Sequence, residues 1–147
     1  MRPTEIFLAH SARDVVFVAG LAERLRADGM LPWYSERHIV GARQWHDEIG
    51  QALERCDWFA VVLSPSSVRS EWVRHELLYA LGEARYRRRI VPILYRACQV
   101  TRLSWTLPSF QYIDFTKGFD PGYAALLRVW ARASASTSAR PYRSRSR

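Results

Sequence analysis

The segment Ser70-Glu71-Trp72-Val73-Arg74-His75-Glu76 holds the pair of residues with the clearest chemical potential. Trp72 and Glu76 are four apart, so on a helix they share one face. Leu77 follows directly and forms a core stripe with Ala80, Leu81 and Ala84, which places Glu76 at the border of the buried face. A ring beside a partly desolvated carboxylate can stack a planar group and present a tuned acid to it. A rim tryptophan packed on its own scaffold, next to a solvated glutamate, satisfies the same spacing equally well.

No rival constellation competes with this pair. The chain has no GxGxxG, GxxxxGK[ST], GxSxG or HExxH segment. His10-Ser11 lacks a group to orient the imidazole. His38, His46 and His75 fall at predicted exposed positions and read as polar surface. Cys56 and Cys98 form no CxxC pair and no ligand cluster with the four histidines, so they read as free thiols, with no disulfide and no metal site.

The elements that must position Trp72 and Glu76 alternate between strand and helix. Glu5 to Ala9 is a short apolar run, a buried strand, followed by a loop at His10 to Arg13. From Asp14 the period changes. Phe17, Leu21 and Leu25, widened by Val18 and Ala22, mark an amphipathic helix that stops at Gly29. Ser11 and Asp14 have the spacing of a capping box. Met30 to Tyr34 is the second strand, and Ser35 to Arg43 a polar loop. Trp45, Ile49, Leu53 and Cys56 stripe the second helix. Trp58 to Leu63 is apolar throughout, as a strand buried on both faces is. A turn at Ser64 to Ser67 leads to a third helix over about 71–84, with Ser70 as its N-cap. Ile90 to Tyr95 is the fourth strand. Pro92 inside it fits a strand start or an edge. Gln111 to Phe115 is the fifth strand, and 120–133 the last helix, with Leu126, Leu127 and Trp130 facing in.

This alternation implies an α/β fold with a doubly wound, five-stranded parallel sheet and helices on both faces. The commonest order is 2-1-3-4-5, whose switch point lies between strands one and three. The pattern therefore predicts a site built from two loops, His10 to Arg13 and Ser64 to Ser70. The 147 residues suit one domain, expected over 1–133, with a disordered basic Ser/Arg tail over 134–147. No apolar run is long enough to cross a bilayer and no signal pattern opens the chain, so the expected compartment is the cytoplasm.

The net charge is +8, and half of it sits in the tail as Arg140, Arg143, Arg145 and Arg147. Arg85, Arg87, Arg88 and Arg89 form a second cluster. Without a nucleic-acid motif beside them, these charges read as a solvated helix end and a tail rather than a nucleic-acid surface.

Taken in order, the segments resemble a TIR (Toll/interleukin-1 receptor) domain of the bacterial, NAD+-hydrolysing type. Ile6-Phe7-Leu8-Ala9-His10-Ser11-Ala12-Arg13-Asp14 is similar to the family's first-strand motif F-I-S-H-S-x-x-D. Leu31-Pro32-Trp33-Tyr34 resembles the second strand. Val61-Val62-Leu63-Ser64-Pro65, continued by Ser67, Ser70 and Glu71-Trp72-Val73, resembles the third strand and its loop. Arg89 to Leu94 and Gln111 to Phe115 resemble the fourth and fifth. The resemblance covers about residues 4–131.

It implies a flavodoxin-like three-layer sandwich. It also implies an NAD+ glycohydrolase or cyclase that releases nicotinamide and yields ADP-ribose or a cyclic ADP-ribose, acting in bacterial immune signalling or anti-phage defence. In the family's enzymes a glutamate four residues after a tryptophan is catalytic, which here is Glu76 after Trp72. Substrate contacts would come from Trp72, from Phe7, Ala9, His10 and Ser11 at the end of the first strand, and from Trp33, Arg43 and Trp45 around the second. No resident cofactor or metal is implied, NAD+ being the substrate. The implied partners are further TIR domains and a separate or fused sensor, with no membrane and no nucleic acid. The alternative within the family is a non-catalytic adaptor acting by homotypic TIR–TIR binding. Ala9 stands where the motif carries Ser, which removes one ribose contact. Val40-Gly41-Ala42 replaces the usual Pro-Gly-Asp, and Ser35 stands where an acid often follows the second strand.

Overall fold

In a computed structural model, which describes residues 2–35 and 42–138 with the side chains of 42–46 and 134–138 left undescribed, five strands form one all-parallel sheet in the order β2-β1-β3-β4-β5. The strands are β1 (Glu5–Ala9), β2 (Leu31–Trp33), β3 (Trp58–Leu63), β4 (Ile90–Leu94) and β5 (Ile113–Asp114). The helices are α1 (Val15–Ala27), α2 (Ala42–Arg55), α3 (Glu71–Gly82) and α4 (Phe119–Ser138). β3 is buried at all six residues, as its unbroken apolar run requires of a central strand.

Side-chain alternation divides the core in two. Ile6 and Leu8 of β1 join α1 and α4 on one face of the sheet. Phe7 and Ala9 join α2 and α3 on the other. Register sets Phe7 opposite both Trp33 and Phe59. The three rings therefore stack across the strands, Phe7 lying 5.0 Å from Trp33 and 5.4 Å from Phe59.

Several boundaries differ from the sequence pattern. Helix α2 begins at Ala42, inside the expected loop; residues 36–41 of that loop lie outside the described residues. Helix α3 ends at Gly82, and Ala84 belongs to a separate 3-10 turn. Helix α4 runs to Ser138, past the expected end at Ala133; of the expected tail, 139–147 lie outside the described residues. Strand β5 has only two residues, Ile113 and Asp114. Gly29 stops α1 as expected, with φ +85°.

Ser11 and Asp14 do not form a capping box. The Ser11 hydroxyl accepts from the Arg13 amide at 3.4 Å and caps a 3-10 turn over Ala12–Asp14 instead. The Asp14 carboxylate makes no cap bond to α1 and is buried elsewhere.

Pro92 stands in mid-strand rather than at a strand start. The Phe59 amide donates to the Arg89 carbonyl and the Phe115 amide to the Leu94 carbonyl. Peptide groups alternate in direction along a strand, so the Pro92 nitrogen points toward β5. β5 pairs with β4 only from Ile93, so the missing N–H costs no ladder bond. No helix of the described residues is long and apolar enough to cross a membrane.

Candidate functional site

Helix α3 starts where Ser70 places its hydroxyl as acceptor of the Val73 amide, at 3.3 Å. That cap satisfies one of the amides a first turn leaves unpaired. Val73, Leu77 and Ala80 then bury against the sheet. Trp72, His75, Glu76 and Tyr79 follow the spacing i, i+3, i+4, i+7 and form the adjoining face. That face borders a groove of about 200 Å³.

The opposite wall is α2, which contributes Ile49, Gly50, Leu53 and Glu54. Glu76 is more enclosed than its sequence position implied, with only 6% of its surface accessible. Trp72 is half-buried, and the exposed His75 meets its ring edge-on at 6.2 Å. The groove thus combines a buried carboxylate, an aromatic plate and the apolar side chains Ile49 and Leu53.

The α2 wall is pinned from below. The Tyr86 hydroxyl donates to the Leu53 carbonyl at 2.6 Å, and the Arg85 guanidinium donates to the same oxygen. Leu53 lies in the last turn of α2, where carbonyls lack helical partners. A cation there also complements the helix dipole. Arg85 is therefore occupied by the fold, while Arg87, Arg88 and Arg89 are exposed. Beside this contact Cys56 is fully buried, and burial pushes its thiol up to about 12.

The remaining expected site residues fall in three groups. Phe7 and Ala9 are buried beneath the groove, and Trp33 is half-buried on the Phe7 ring, so none of the three lines the groove. His10 is buried and lies edge-on to Tyr34 at 5.9 Å. Its Nδ1 is 3.0 Å from the Leu8 carbonyl, which can only accept, so Nδ1 carries the proton. Ser11 is occupied as a cap. Arg43 and Trp45 lie in the first turn of α2, with side chains outside the described residues.

Sequence reasoning missed the α2 wall, His75 and Tyr79. The helical spacing of 72, 75, 76 and 79 would have revealed the last two. Nothing local in the sequence announces that α2 lies opposite. A larger cavity of about 320 Å³ sits at the other end of α3, near Glu83, Arg87, Arg88 and Phe110. It is the roomier of the two, yet no buried carboxylate faces it, so the chemistry favours the smaller groove.

A doubly wound sheet in this order, with a helix-borne carboxylate beside an aromatic ring, defines the class. Residues 6–127 match the TIR domain family, and the chain belongs to it. The chain is 34% identical over 133 residues to the NAD(+) hydrolase PdTIR of Paracoccus denitrificans, covering 86% of this chain and 44% of that protein. It is 31% identical over 74 residues to the 2' cyclic ADP-D-ribose synthase BtTIR of Bacteroides thetaiotaomicron, covering 50% of this chain and 26% of that one. The chain thus spans less than half the length of the curated relatives it matches. The TIR domain of the Toll-related receptor TRR-2 from Hydra magnipapillata has the same fold. Its TM-score is 0.65 at 21% identity, over 90% of this chain and 95% of that one.

Proposed function

We propose that this chain cleaves the nicotinamide–ribose bond of NAD+, with Glu76 as the catalytic residue and Trp72 as the plate that receives the nicotinamide end. The observation that carries this reading is the pairing of Trp72 with the buried Glu76 on one wall of the α2/α3 groove. The activities named for the bacterial relatives support it.

The chemistry fits a single carboxylate. As the C1′–N bond lengthens, positive charge grows on the ribose and spreads over C1′ and the ring oxygen, as in glycoside hydrolysis. A carboxylate held out of bulk water opposes that charge more strongly than a solvated one. Nicotinamide takes the bonding electron pair and departs neutral from a cationic ring, so no acid needs to protonate it. Water then adds to C1′ and loses a proton, giving ADP-ribose. If a hydroxyl of the same ADP-ribosyl unit adds instead, the product is cyclic.

In this reading the domain acts by association with further TIR domains under a separate or fused sensor, in bacterial immune signalling. The test is nicotinamide release from NAD+ by clustered protein, with product masses recorded and Glu76→Ala as control. Release by wild type and its loss in the variant are expected. Equal inertness of both, with specific binding to another TIR domain, would replace this reading with the adaptor alternative.

A further inference from the structure

Two loops meet at the switch point through buried polar groups that the proposed chemistry leaves unused. Asp14 closes the loop after β1, and Ser64 opens the loop after β3. The Ser64 hydroxyl donates to Asp14 Oδ2 at 2.5 Å. Ser64 and Ser67 then lock together. The Ser64 amide donates to Ser67 Oγ at 2.9 Å, the Ser67 amide to Ser64 Oγ at 3.1 Å, and Ser67 Oγ to the Ser64 carbonyl at 3.2 Å. All three residues are buried: Asp14 keeps 7% of its surface accessible, Ser64 1% and Ser67 none. A buried carboxylate is costly unless hydrogen-bonded, so this contact is strongly specified.

We propose that Asp14 and Ser64 are positioning residues for the groove. This rests on the reading of Glu76 given above. From Ser67 a single 3-10 turn runs to the Ser70 cap, which starts the helix carrying Trp72 and Glu76. The contact therefore ties the beginning of α3 to the loop that leaves β1. It fixes how far α3 stands along the sheet, and with it the height of Glu76 over the substrate's ribose. Small displacements of a catalytic group lower the rate without unfolding the protein.

The experiment compares Ser64→Ala and Asp14→Asn with Tyr123→Phe. The last removes a 2.5 Å bond to Asp28 on the opposite face and serves as a control for lost stability. Ser64→Ala is expected to lower kcat for NAD+ about tenfold or more with little change in KM. Asp14→Asn keeps an acceptor oxygen for Ser64 and is expected to retain most of kcat. Hydrogen exchange should speed up at the amides of 71–76 in Ser64→Ala and not in Tyr123→Phe. The proposal is overturned if Tyr123→Phe, at an equal loss of Tm, loses as much kcat as Ser64→Ala. It is also overturned if exchange at 71–76 is unchanged in Ser64→Ala. If wild type itself releases no nicotinamide, the catalytic reading of Glu76 fails. The exchange comparison still decides whether the contact holds α3, so the two failures are distinguishable.

Discussion

The two faces of the sheet are built from the same strands and finished differently. On the α1/α4 face, rings close the packing: Phe17 stacks on Tyr95 at 4.1 Å and meets Phe115 and Phe119 edge-on. Phe119 stacks in turn on Tyr123, whose hydroxyl donates to Asp28 at 2.5 Å. At Gly122 the α4 backbone approaches so closely that an added Cβ would lie 2.5 Å from the Phe115 ring. On the α2/α3 face the same kind of apolar floor lies beneath two helices that leave a groove between them, and a carboxylate is buried beside it. A close-packed face resists change of any volume. An unfilled one, with a buried carboxyl group set beside it, leaves room for a ligand.

Substitutions on the two faces should separate their roles. The largest effect is expected at Glu76→Gln, which keeps the shape and removes the charge. Nicotinamide release should fall by on the order of 100-fold or more. A variant that stayed active would remove the chemical half of the contrast. Gly122→Ala, on the closed face, should lower stability by about 1–3 kcal/mol through overpacking against Phe115. Denaturant melts would check this, and kcat below the transition should hold. Tyr123→Phe should cost about 1 kcal/mol in the same assay, again with kcat unchanged. The smallest effect has the opposite sign. Gly50 is exposed in the interior of α2, and a Cβ there meets nothing within 4 Å. Gly50→Ala should therefore raise stability by roughly 0.5–1 kcal/mol. Gly50→Leu points bulk toward the groove and should raise KM for NAD+. Equal KM for both variants would show that the substrate does not use the α2 wall.

The sequence was legible wherever the cause of structure is local. Ser70 announced the start of α3, Gly29 the end of α1, and the unbroken Trp58 to Leu63 run the central strand. Local reasoning failed where a distant partner decides. The Ser11 and Asp14 spacing looked like a cap, but Ser64, fifty residues on, supplies the hydroxyl that the Asp14 carboxylate accepts. Pro92 looked like an edge signal because the sequence does not show how short β5 is. His75 looked like plain surface because its exposure is real; the groove beside it needs α2.

By itself, then, the sequence determined the alternation of elements, the strand order that alternation favours, and the four-residue spacing that puts Trp72 and Glu76 on one helix face. These follow from backbone periodicity and capping, which act over a few residues. Tertiary structure alone decided that Glu76 is buried rather than at the border, that α2 forms the facing wall, and that Phe7 and Ala9 lie beneath the groove. Those outcomes depend on how the helices seat on the sheet, and that is set by packing between residues far apart in the chain.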